Sequence, residues 1–260
     1  MRFDPGIDIV PTTAPLGFSY GVDCFGPEVE IRHLDAIRKS LLNPECSGPE
    51  EVYAIAMDVG KNQHKPLLEE KMLLFGVVTY ASGQLGNEPV RSQGHVHKKS
   101  LHSGWSPPEV YEIWTGKAII YMQEYAEDDP GRCFAVYANP GDVVVVPPEW
   151  AHATISADPN QPLTFGAWCD REYGFLYDKV RQYHGLAWYP LLDENGEIHW
   201  KRNPHYHPAR LIEKLPEDYA SSLDIDKGTP IYTQFEKDPG KFQFVSQPGL
   251  LEQTWIEYIP

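Results

Sequence analysis

Residues Arg91–Gly116 read RSQGHVHKKSLHSGWSPPEVYEIWTG. His95 and His97 stand one residue apart, and residues i and i+2 of a β-strand point to the same face. Their imidazoles can therefore converge on one cation, because imidazole and carboxylate groups are usual ligands of Zn, Fe, Mn or Ni. Taken alone, the pair also fits a polar strand edge beside Lys98 and Lys99. The neighbouring sequence has to decide between these interpretations.

Composition limits the classes of function. The chain has 260 residues, of which 42% are hydrophobic, and its formal net charge is -15. Such a charge disfavours nucleic-acid and anionic-membrane partners but not a small phosphorylated ligand, which needs only a few local donors. No run approaches the ~18 apolar residues of a membrane helix. The N-terminus lacks the apolar region of a signal peptide, and four cysteines without a CxxC pair favour a reducing cytoplasm.

Short apolar runs separated by Gly, Pro and Asn turns follow one another after residue 72, which predicts an all-β sandwich or barrel. The predicted strands are 52–59, 73–80, 110–115, 118–124, 133–138, 142–146, 153–156 and 162–169. One amphipathic helix is predicted over Val29–Leu42 from its apolar spacing. A hairpin is predicted over Leu191–Trp200 with Asn195-Gly196 at its turn. In the tail, PHYHPARLIEKL suggests entry into a short helix.

Two motifs extend the opening stretch. Glu109 opens a predicted strand with Gly116 seven residues later, and Gly141–His152 reads GDVVVVPPEWAH, an apolar strand, a proline turn and a histidine. Together they resemble the two cupin motifs, G-H-x-H…E-x6-G and G-x5-P-x4-H. The resemblance implies a double-stranded β-helix, or jelly-roll barrel. We expect this barrel over residues 51–200, an N-terminal arm and helix over 1–50, and an irregular C-terminal extension over 201–260.

The cupin motif positions imply that one divalent metal ion per chain, Fe, Mn, Zn or Ni, is bound by His95, His97, Glu109 and His152. The spacing is compatible with this. His95 and His97 lie on one strand, Glu109 starts a neighbouring strand and His152 follows a proline turn, and a barrel of antiparallel strands can bring these three places together. Glu112 has the opposite strand parity to Glu109. We therefore expect Glu112 to face outward, as a salt-bridge or solvent residue.

Further segments sharpen the resemblance. The order of these segments is similar to that of the cupin-type (archaeal-type) glucose-6-phosphate isomerases over about residues 28–204, and the phrase V-P-P-x-W-A-H is the most specific of them. The segments are Arg32–Asp35, Glu51–Ala56, Ser82–Glu88, Ser92–His97, Glu109–Tyr111, Val146–His152, Glu172–Gly174 and Glu194–Ile198.

This resemblance implies a cytoplasmic, homodimeric enzyme of glycolysis and gluconeogenesis that interconverts glucose 6-phosphate and fructose 6-phosphate. Glu109 would be a metal ligand and candidate base, and Tyr111 would lie beside the substrate. Ser92 and Gly94 match the phosphate-binding segment, and Tyr173 matches a tyrosine that contacts the sugar. The upstream phosphate-binding threonine is matched by Thr79, in competition with Val78.

The chain also departs from the family. Eleven residues separate His97 from Glu109, more than the family has, so Ser100–Pro108 is expected to form a loop over the barrel mouth. Ser156 replaces an asparagine common in the family, and the residues after 204 have no counterpart in its compact members. Two alternatives therefore stay open, a cupin isomerase for another sugar and a non-catalytic sugar-binding or metal-binding cupin. The pattern is also compatible with either an enediol or a hydride-shift mechanism.

Overall fold

Nineteen strands and seven short helices form the part of the chain that the computed structural model describes, residues 3–260. In chain order the strands are β1 Ile9–Thr13, β2 Leu16–Tyr20, β3 Cys24–Phe25, β4 Glu30–His33, β5 Glu51–Lys61, β6 Leu73–Tyr80, β7 Gln84–Leu85, β8 Glu88–Pro89, β9 Val96–His97, β10 Glu109–Thr115, β11 Ala118–Gln123, β12 Cys133–Ala138, β13 Val143–Val146, β14 Ala151–Ser156, β15 Thr164–Asp170, β16 Phe175–Leu176, β17 Trp188–Leu192, β18 Ile198–Arg202 and β19 Leu211–Lys214.

The helices are short and lie mainly at the two ends of the chain. They are α1 Leu34–Ile37, α2 Lys65–Glu70, α3 Asp178–Gln182, α4 Ala220–Leu223, α5 Ile231–Lys237, α6 Gln243–Ser246 and α7 Glu252–Ile256, with 3-10 turns at Arg38–Ser40, Asn62–His64 and Pro248–Leu251. Among residues 3–260, no helix is both long and apolar enough to cross a membrane.

Two sheets form the centre of the molecule. The larger has the order β13-β10-β15-β6-β5-β3, with β4 also paired to β5, and the smaller has the order β14-β11-β12-β19. Their ladders are antiparallel, except that β19 pairs with β12 in parallel. This order of strands confirms the prediction of an all-β cupin jelly roll.

Apolar side chains from both sheets meet between them. Ile113 and Phe165 of the larger sheet belong to the same buried cluster as Ile120 and Phe134 of the smaller one. Each such side chain contributes roughly 1.5–3 kcal/mol when it is removed from water. The alternation of inward and outward residues along these strands follows the period of two and fixes which side chains can reach the barrel interior.

A second apolar layer covers the outer face of the larger sheet. Trp168 of β15 is fully buried there, with its ring centroid 5.7 Å from that of Tyr232 and 4.8 Å from that of Phe235, both on α5. Helices α4–α7 thus complete a core on this face. The C-terminal extension, expected to be irregular, carries these four helices and one strand.

Two local predictions are wrong. Val29–Leu42 is not one helix, because β4 pairs antiparallel with β5 and only α1 and the turn Arg38–Ser40 follow it. The helical apolar spacing gives way to a sheet pairing made with residues about twenty positions later. The expected short helix in PHYHPARLIEKL is a strand instead, since β19 joins the edge of the smaller sheet.

Other local predictions are confirmed. Strand β6 has the predicted bounds, and β17 and β18 form the hairpin, with Leu192 paired to Ile198. The division of the chain at residues 51 and 201 stays a prediction. Strands β3 and β4 lie before residue 51 and pair with β5 after it, and β19 lies after residue 201 and pairs with β12 before it.

Candidate active site

Three histidines and one glutamate meet at one end of the barrel interior. His97 lies in β9, Glu109 begins β10, and His152 lies in β14. His95 is held beside His152 by two backbone hydrogen bonds of 3.0 and 2.9 Å, so the first histidine pair is fastened to the strand that carries the third histidine. One ligand atom from each residue lies within 4.8 Å of the others. The structure therefore brings the four predicted metal ligands together.

Backbone carbonyls orient two of these imidazoles. Nδ1 of His97 lies 2.8 Å from the carbonyl oxygen of Pro107, and Nδ1 of His152 lies 3.1 Å from that of Trp150. A carbonyl only accepts, so in each ring Nδ1 carries the hydrogen and Nε2 faces the cluster. The two Nε2 atoms lie 3.2 and 3.4 Å from Oε2 of Glu109.

This donor set fits a metal cation. Nε2 of His95 and Nε2 of His152 are buried without a hydrogen-bond partner among residues 3–260. Buried polar atoms are normally satisfied, and three imidazole nitrogens with one carboxylate are a usual set for Zn, Fe, Mn or Ni. A cation between them would satisfy both the imidazole lone pairs and the carboxylate.

The electrostatics favour the cation-binding form of three of the four residues, His97 being the exception. Burial opposes ionisation of Glu109, but the adjacent imidazoles of His152 and His97 outweigh it and hold its pKa well below the usual value. Burial lowers the pKa of His95 well below its usual value, and the neighbouring His152 and His97 lower it further. Burial also lowers the pKa of His152. For His97 the contact with Glu109 outweighs burial, and its pKa is raised.

Glu109 also accepts two hydrogen bonds from residues outside the ligand set. The hydroxyl of Tyr111 donates to Oε2 over 2.7 Å, and the thiol of Cys169 donates to Oε1 over 3.3 Å. Cys169 is the last residue of the predicted strand 162–169. Strand parity within that segment is the only sequence signal that could have placed the Cys169 thiol on the same side as Glu109.

A cavity opens beside the ligands, with about 470 Å³ of free space including its mouth. Its wall is mostly apolar and aromatic, as is typical of small-molecule sites. The residues lining it are Tyr53, Ile55, Met57, Val78, Tyr80, Ser92, His95, Glu109, Tyr111, Thr154, Phe165, Phe175 and Tyr177. No role is predicted for Tyr53, Phe175 or Tyr177 from the sequence, although Tyr53 lies within the resembling segment Glu51–Ala56.

The predicted substrate residues are placed unequally. Ser92 lines the cavity, and its Oγ accepts a hydrogen bond from the amide of Thr154. Val78 lines the cavity as well, whereas the hydroxyl of Thr79 contacts that of Thr164 at 2.9 Å. Strand parity explains this, since neighbouring residues face opposite sides. Thr79 therefore does not face the cavity.

The other two predicted substrate residues lie outside the cavity lining. Gly94 has a φ of +88°, and a Cβ at this position would come within 2.9 Å of Leu186. Its place in the motif thus reflects backbone conformation and close packing. Tyr173 is 44% exposed and stands at the rim, with its ring 5.8 Å from that of Phe175.

The inserted loop Ser100–Pro108 is tied to the metal ligands. Besides the Pro107 carbonyl at His97, the hydroxyl of Ser106 donates to the backbone oxygen of His97 over 2.7 Å. At the other end of the loop, Glu172 accepts from the hydroxyl of Ser100 and from the amide of His102. The loop therefore fixes the orientation of one ligand.

Glu112 contradicts the expectation of an exposed residue. It is on the opposite face to Glu109, as parity requires, but that face is covered and its side chain is only 1% exposed. The amide of Ile231 donates to Oε1 over 2.8 Å and the indole of Trp114 to Oε2 over 3.1 Å. Burial raises the pKa of Glu112 to about 8. The cause is α5, which the local sequence could not reveal.

Comparisons with known proteins agree with this geometry. The family model described as Glucose-6-phosphate isomerase (GPI) matches residues 38–209. The chain is 30% identical to the glucose-6-phosphate isomerase of Thermococcus litoralis over 60% of this chain and 71% of that protein. It is 28% identical to that of Pyrococcus furiosus over 65% of this chain and 78% of that protein.

Solved structures are less similar. Oxalate decarboxylase from Bacillus subtilis has a TM-score of 0.35 at 17% identity, over 50% of this chain and 29% of that one. Vicilin from Capsicum annuum has a TM-score of 0.34 at 15% identity, over 50% of this chain and 32% of that one. Scores this low carry no argument. The family model, in contrast, spans well over half of the sequence, and the chain is an enzyme of the glucose-6-phosphate isomerase family.

Proposed function

We propose that this chain interconverts glucose 6-phosphate and fructose 6-phosphate with one divalent metal ion bound by His95, His97, Glu109 and His152. One observation carries the proposal: the four ligand atoms lie within 4.8 Å of one another, two of the four residues, His95 and Glu109, line the cavity, and Nε2 of His95 is buried and unpartnered among residues 3–260. The curated relatives named glucose-6-phosphate isomerase support the choice of substrate.

The reaction moves a hydrogen between C2 and C1 of the sugar. When bound, a divalent cation would supply Lewis acidity to the sugar oxygens at these carbons. In the enediol route Glu109 takes the proton from one carbon and returns it to the other, which requires an ionised carboxylate. Its depressed pKa meets this requirement. In the hydride-shift route Glu109 remains a ligand only.

Other residues of the chain prepare the site. Tyr111 lines the cavity and keeps its proton, since burial raises its pKa well above the usual value, with the Glu109 carboxylate adding to the shift. Its hydroxyl can therefore hold Oε2 of Glu109 by donation. The apolar side chains of Ile55, Val78 and Phe165 line the same cavity as the carboxylate, so a sugar bound there would share a largely apolar wall with Glu109.

Metal analysis combined with a coupled assay tests the proposal. Purified protein is loaded separately with Fe²⁺, Mn²⁺, Zn²⁺ and Ni²⁺, and the conversion of fructose 6-phosphate to glucose 6-phosphate is measured. We expect about one ion per chain and activity that chelation abolishes. Full activity of chelated, metal-free protein contradicts metal dependence, and inactivity of every metal-loaded form contradicts the isomerase proposal.

Heavy water separates the two routes. Solvent deuterium at C1 or C2 of the product supports an enediol with Glu109 as base. A product without deuterium supports the hydride shift. The readout is the mass and proton spectrum of the product at low conversion, which limits exchange through repeated turnovers.

Val78 supports a second candidate, an isomerase for an unphosphorylated sugar. It competes with Thr79 for the position where the family resemblance expects a phosphate-binding threonine. Of the two residues only Val78 lines the cavity, and its side chain cannot hydrogen-bond. Comparing kcat/KM for fructose and fructose 6-phosphate decides between the two candidates. A higher value for fructose would favour the second.

The homodimer rests on the family resemblance and the cytoplasmic location on the cysteine pattern, and both remain part of this proposal. The four cysteines are free thiols, which is compatible with a reducing compartment. Sedimentation equilibrium of the purified chain measures the mass in solution, and a monomer across the micromolar range would contradict the dimer.

A further inference from the structure

The cavity offers no positively charged side chain for a phosphate group among its described lining residues. Among the described residues that line it, none is a lysine or an arginine, and Val78 offers no donor. A sugar phosphate carries one to two negative charges, and a buried anion is costly unless charged donors pair with it. If the substrate is phosphorylated, its charge has to be met at the rim.

Arg32 is placed to meet it. Strands β4 and β5 pair antiparallel, with Arg32 opposite Tyr53 and Glu30 opposite Ile55. Residues directly opposite each other in a sheet share a face. Tyr53 and Ile55 line the cavity, so the side chain of Arg32 lies on the cavity side of the sheet edge.

The surroundings of Arg32 confirm this proximity. Burial lowers the pKa of its guanidinium, but nearby Tyr53, Tyr177 and Glu30 outweigh burial, and the group stays charged. Tyr177 also lines the cavity, and its ring centroid lies 6.1 Å from that of His95. One aromatic side chain thus spans the space between Arg32 and the metal ligands.

Within the described part of the chain, the guanidinium of Arg32 has one donor without a partner and one in an exposed ion pair. Its Nη2 contacts Oε1 of Glu30 at 2.7 Å, while its Nε is buried without a partner among residues 3–260. The side chain of Glu30 is 60% exposed, so this ion pair is weak and readily exchanged. A phosphate that displaces Glu30 would meet Nη2 and Nε together, the edge through which a guanidinium donates two parallel N–H bonds.

Two other arginines near the rim are already engaged. Arg181 lies 5.0 Å from the centroid of the Tyr177 ring, and its Nε donates to Oε1 of Gln93 over 2.9 Å. Both Nη atoms of Arg171 bind the carboxylate of Asp58, at 3.0 and 2.8 Å. Arg181 can therefore hold Tyr177 in place, and Arg171 is neutralised by its own partner.

We propose that Arg32 binds the phosphate group of the substrate at the rim of the cavity and supplies the charged contact that Val78 cannot. This inference rests on the proposed isomerase function. It makes Arg32 a residue that determines specificity for phosphorylated over unphosphorylated sugar, with Tyr53 and Tyr177 as the wall between the phosphate and the reacting carbons.

The test compares Arg32→Gln and Arg32→Lys with the matched control Arg171→Gln, all loaded with metal. Arg171 is as exposed as Arg32, at 20% against 21%, and also has an unpartnered Nε among residues 3–260. Steady-state kinetics with fructose 6-phosphate, inhibition by inorganic phosphate and thermal melting are measured for each. We expect Arg32→Gln to raise KM and the inhibition constant of phosphate at least tenfold, with kcat within threefold. Arg32→Lys should recover part of the loss.

The outcomes separate the two claims. An inactive wild-type protein refutes the isomerase function itself. An active wild type with an unchanged KM in Arg32→Gln refutes only the role of Arg32, and so does an equal rise of KM in Arg171→Gln. A purely structural effect of Arg32→Gln would lower the melting temperature and kcat without a selective change in phosphate inhibition, and this too would overturn the inference.

Discussion

Two buried glutamates stand three residues apart on β10 and differ in every property that matters for chemistry. Glu109 faces the barrel interior among imidazoles and has a depressed pKa. Glu112 faces the C-terminal helices, and burial raises its pKa to about 8. At neutral pH the first is a carboxylate and the second carries a proton. Strand parity separates them, and what covers each face decides their ionisation.

Replacing each glutamate by glutamine should give the largest difference in activity between the two positions. We expect Glu109→Gln to lower kcat/KM about 10²–10⁴-fold and to reduce bound metal, because an amide is both a weak ligand and no base. Glu112→Gln should keep activity within about threefold of wild type at pH 7, since Glu112 does not line the cavity. The amide keeps only one of the two acceptor oxygens, so one of the hydrogen bonds from Ile231 and Trp114 is lost. Coupled assays and metal analysis provide the readout. Equal losses in both variants would contradict the division of roles.

The second effect concerns the histidine on β14. His152→Ala should weaken metal binding at least about 100-fold, because removing one ligand also leaves Oε2 of Glu109 without its neighbour. His102→Ala is the control, since His102 is an exposed histidine of the inserted loop. Full metal content in His152→Ala, measured after dialysis against a weak chelator, would overturn the ligand assignment.

The third prediction uses the raised pKa of Glu112. Its folded-state pKa of about 8 lies above the unfolded value near 4.5, so the unfolded chain loses this proton first. Stability from this group is therefore greatest below about pH 4.5, falls as the pH rises and levels off above about pH 8. The total loss is on the order of 5 kcal/mol.

Urea unfolding of the wild type and Glu112→Gln between pH 5 and 9 measures this effect. The Gln variant cannot ionise, so the difference in unfolding free energy should shift in its favour as the pH rises. Parallel curves for the two proteins would show that Glu112 does not titrate in this range.

The smallest effects come from removing one hydrogen-bond donor from each glutamate. Tyr111→Phe deletes the hydroxyl at Glu109, and Trp114→Phe deletes the indole N–H at Glu112. We expect the first to lower kcat about tenfold with little change in stability, and the second to cost about 1–3 kcal/mol of stability with little change in kcat. A loss of kcat in Trp114→Phe and a loss of stability in Tyr111→Phe would contradict this, and would indicate that Glu112 rather than Glu109 takes part in the reaction.

The cluster of four residues that could hold a metal could be predicted from sequence, because each of them belongs to a short local pattern. His95 and His97 share a strand face, Glu109 opens a strand, and His152 follows a proline turn. Parity likewise placed Glu112 on the opposite face. Parity could not reveal that α5 covers this face, because Ile231, which contacts Glu112, lies 119 residues further along the chain.

Other features were beyond local patterns for the same reason. The apolar spacing of Val29–Leu42 is that of a helix, yet the pairing of β4 with β5 determines the structure. Thr79 and Val78 could not be told apart before the register of β6 against β15 was known. Arg32 belongs to one of the resembling segments, but nothing near it in sequence indicates the cavity.

The contact between Glu112 and α5 has a consequence for the order of events during synthesis. The barrel strands leave the ribosome before α5, and until then the side chain of Glu112 faces water and is ionised at neutral pH. When α5 arrives and Ile231 closes over it, the carboxylate takes up a proton. Docking of the C-terminal helices onto the barrel is thus a proton-consuming step, favoured by mild acidity and opposed by alkaline conditions.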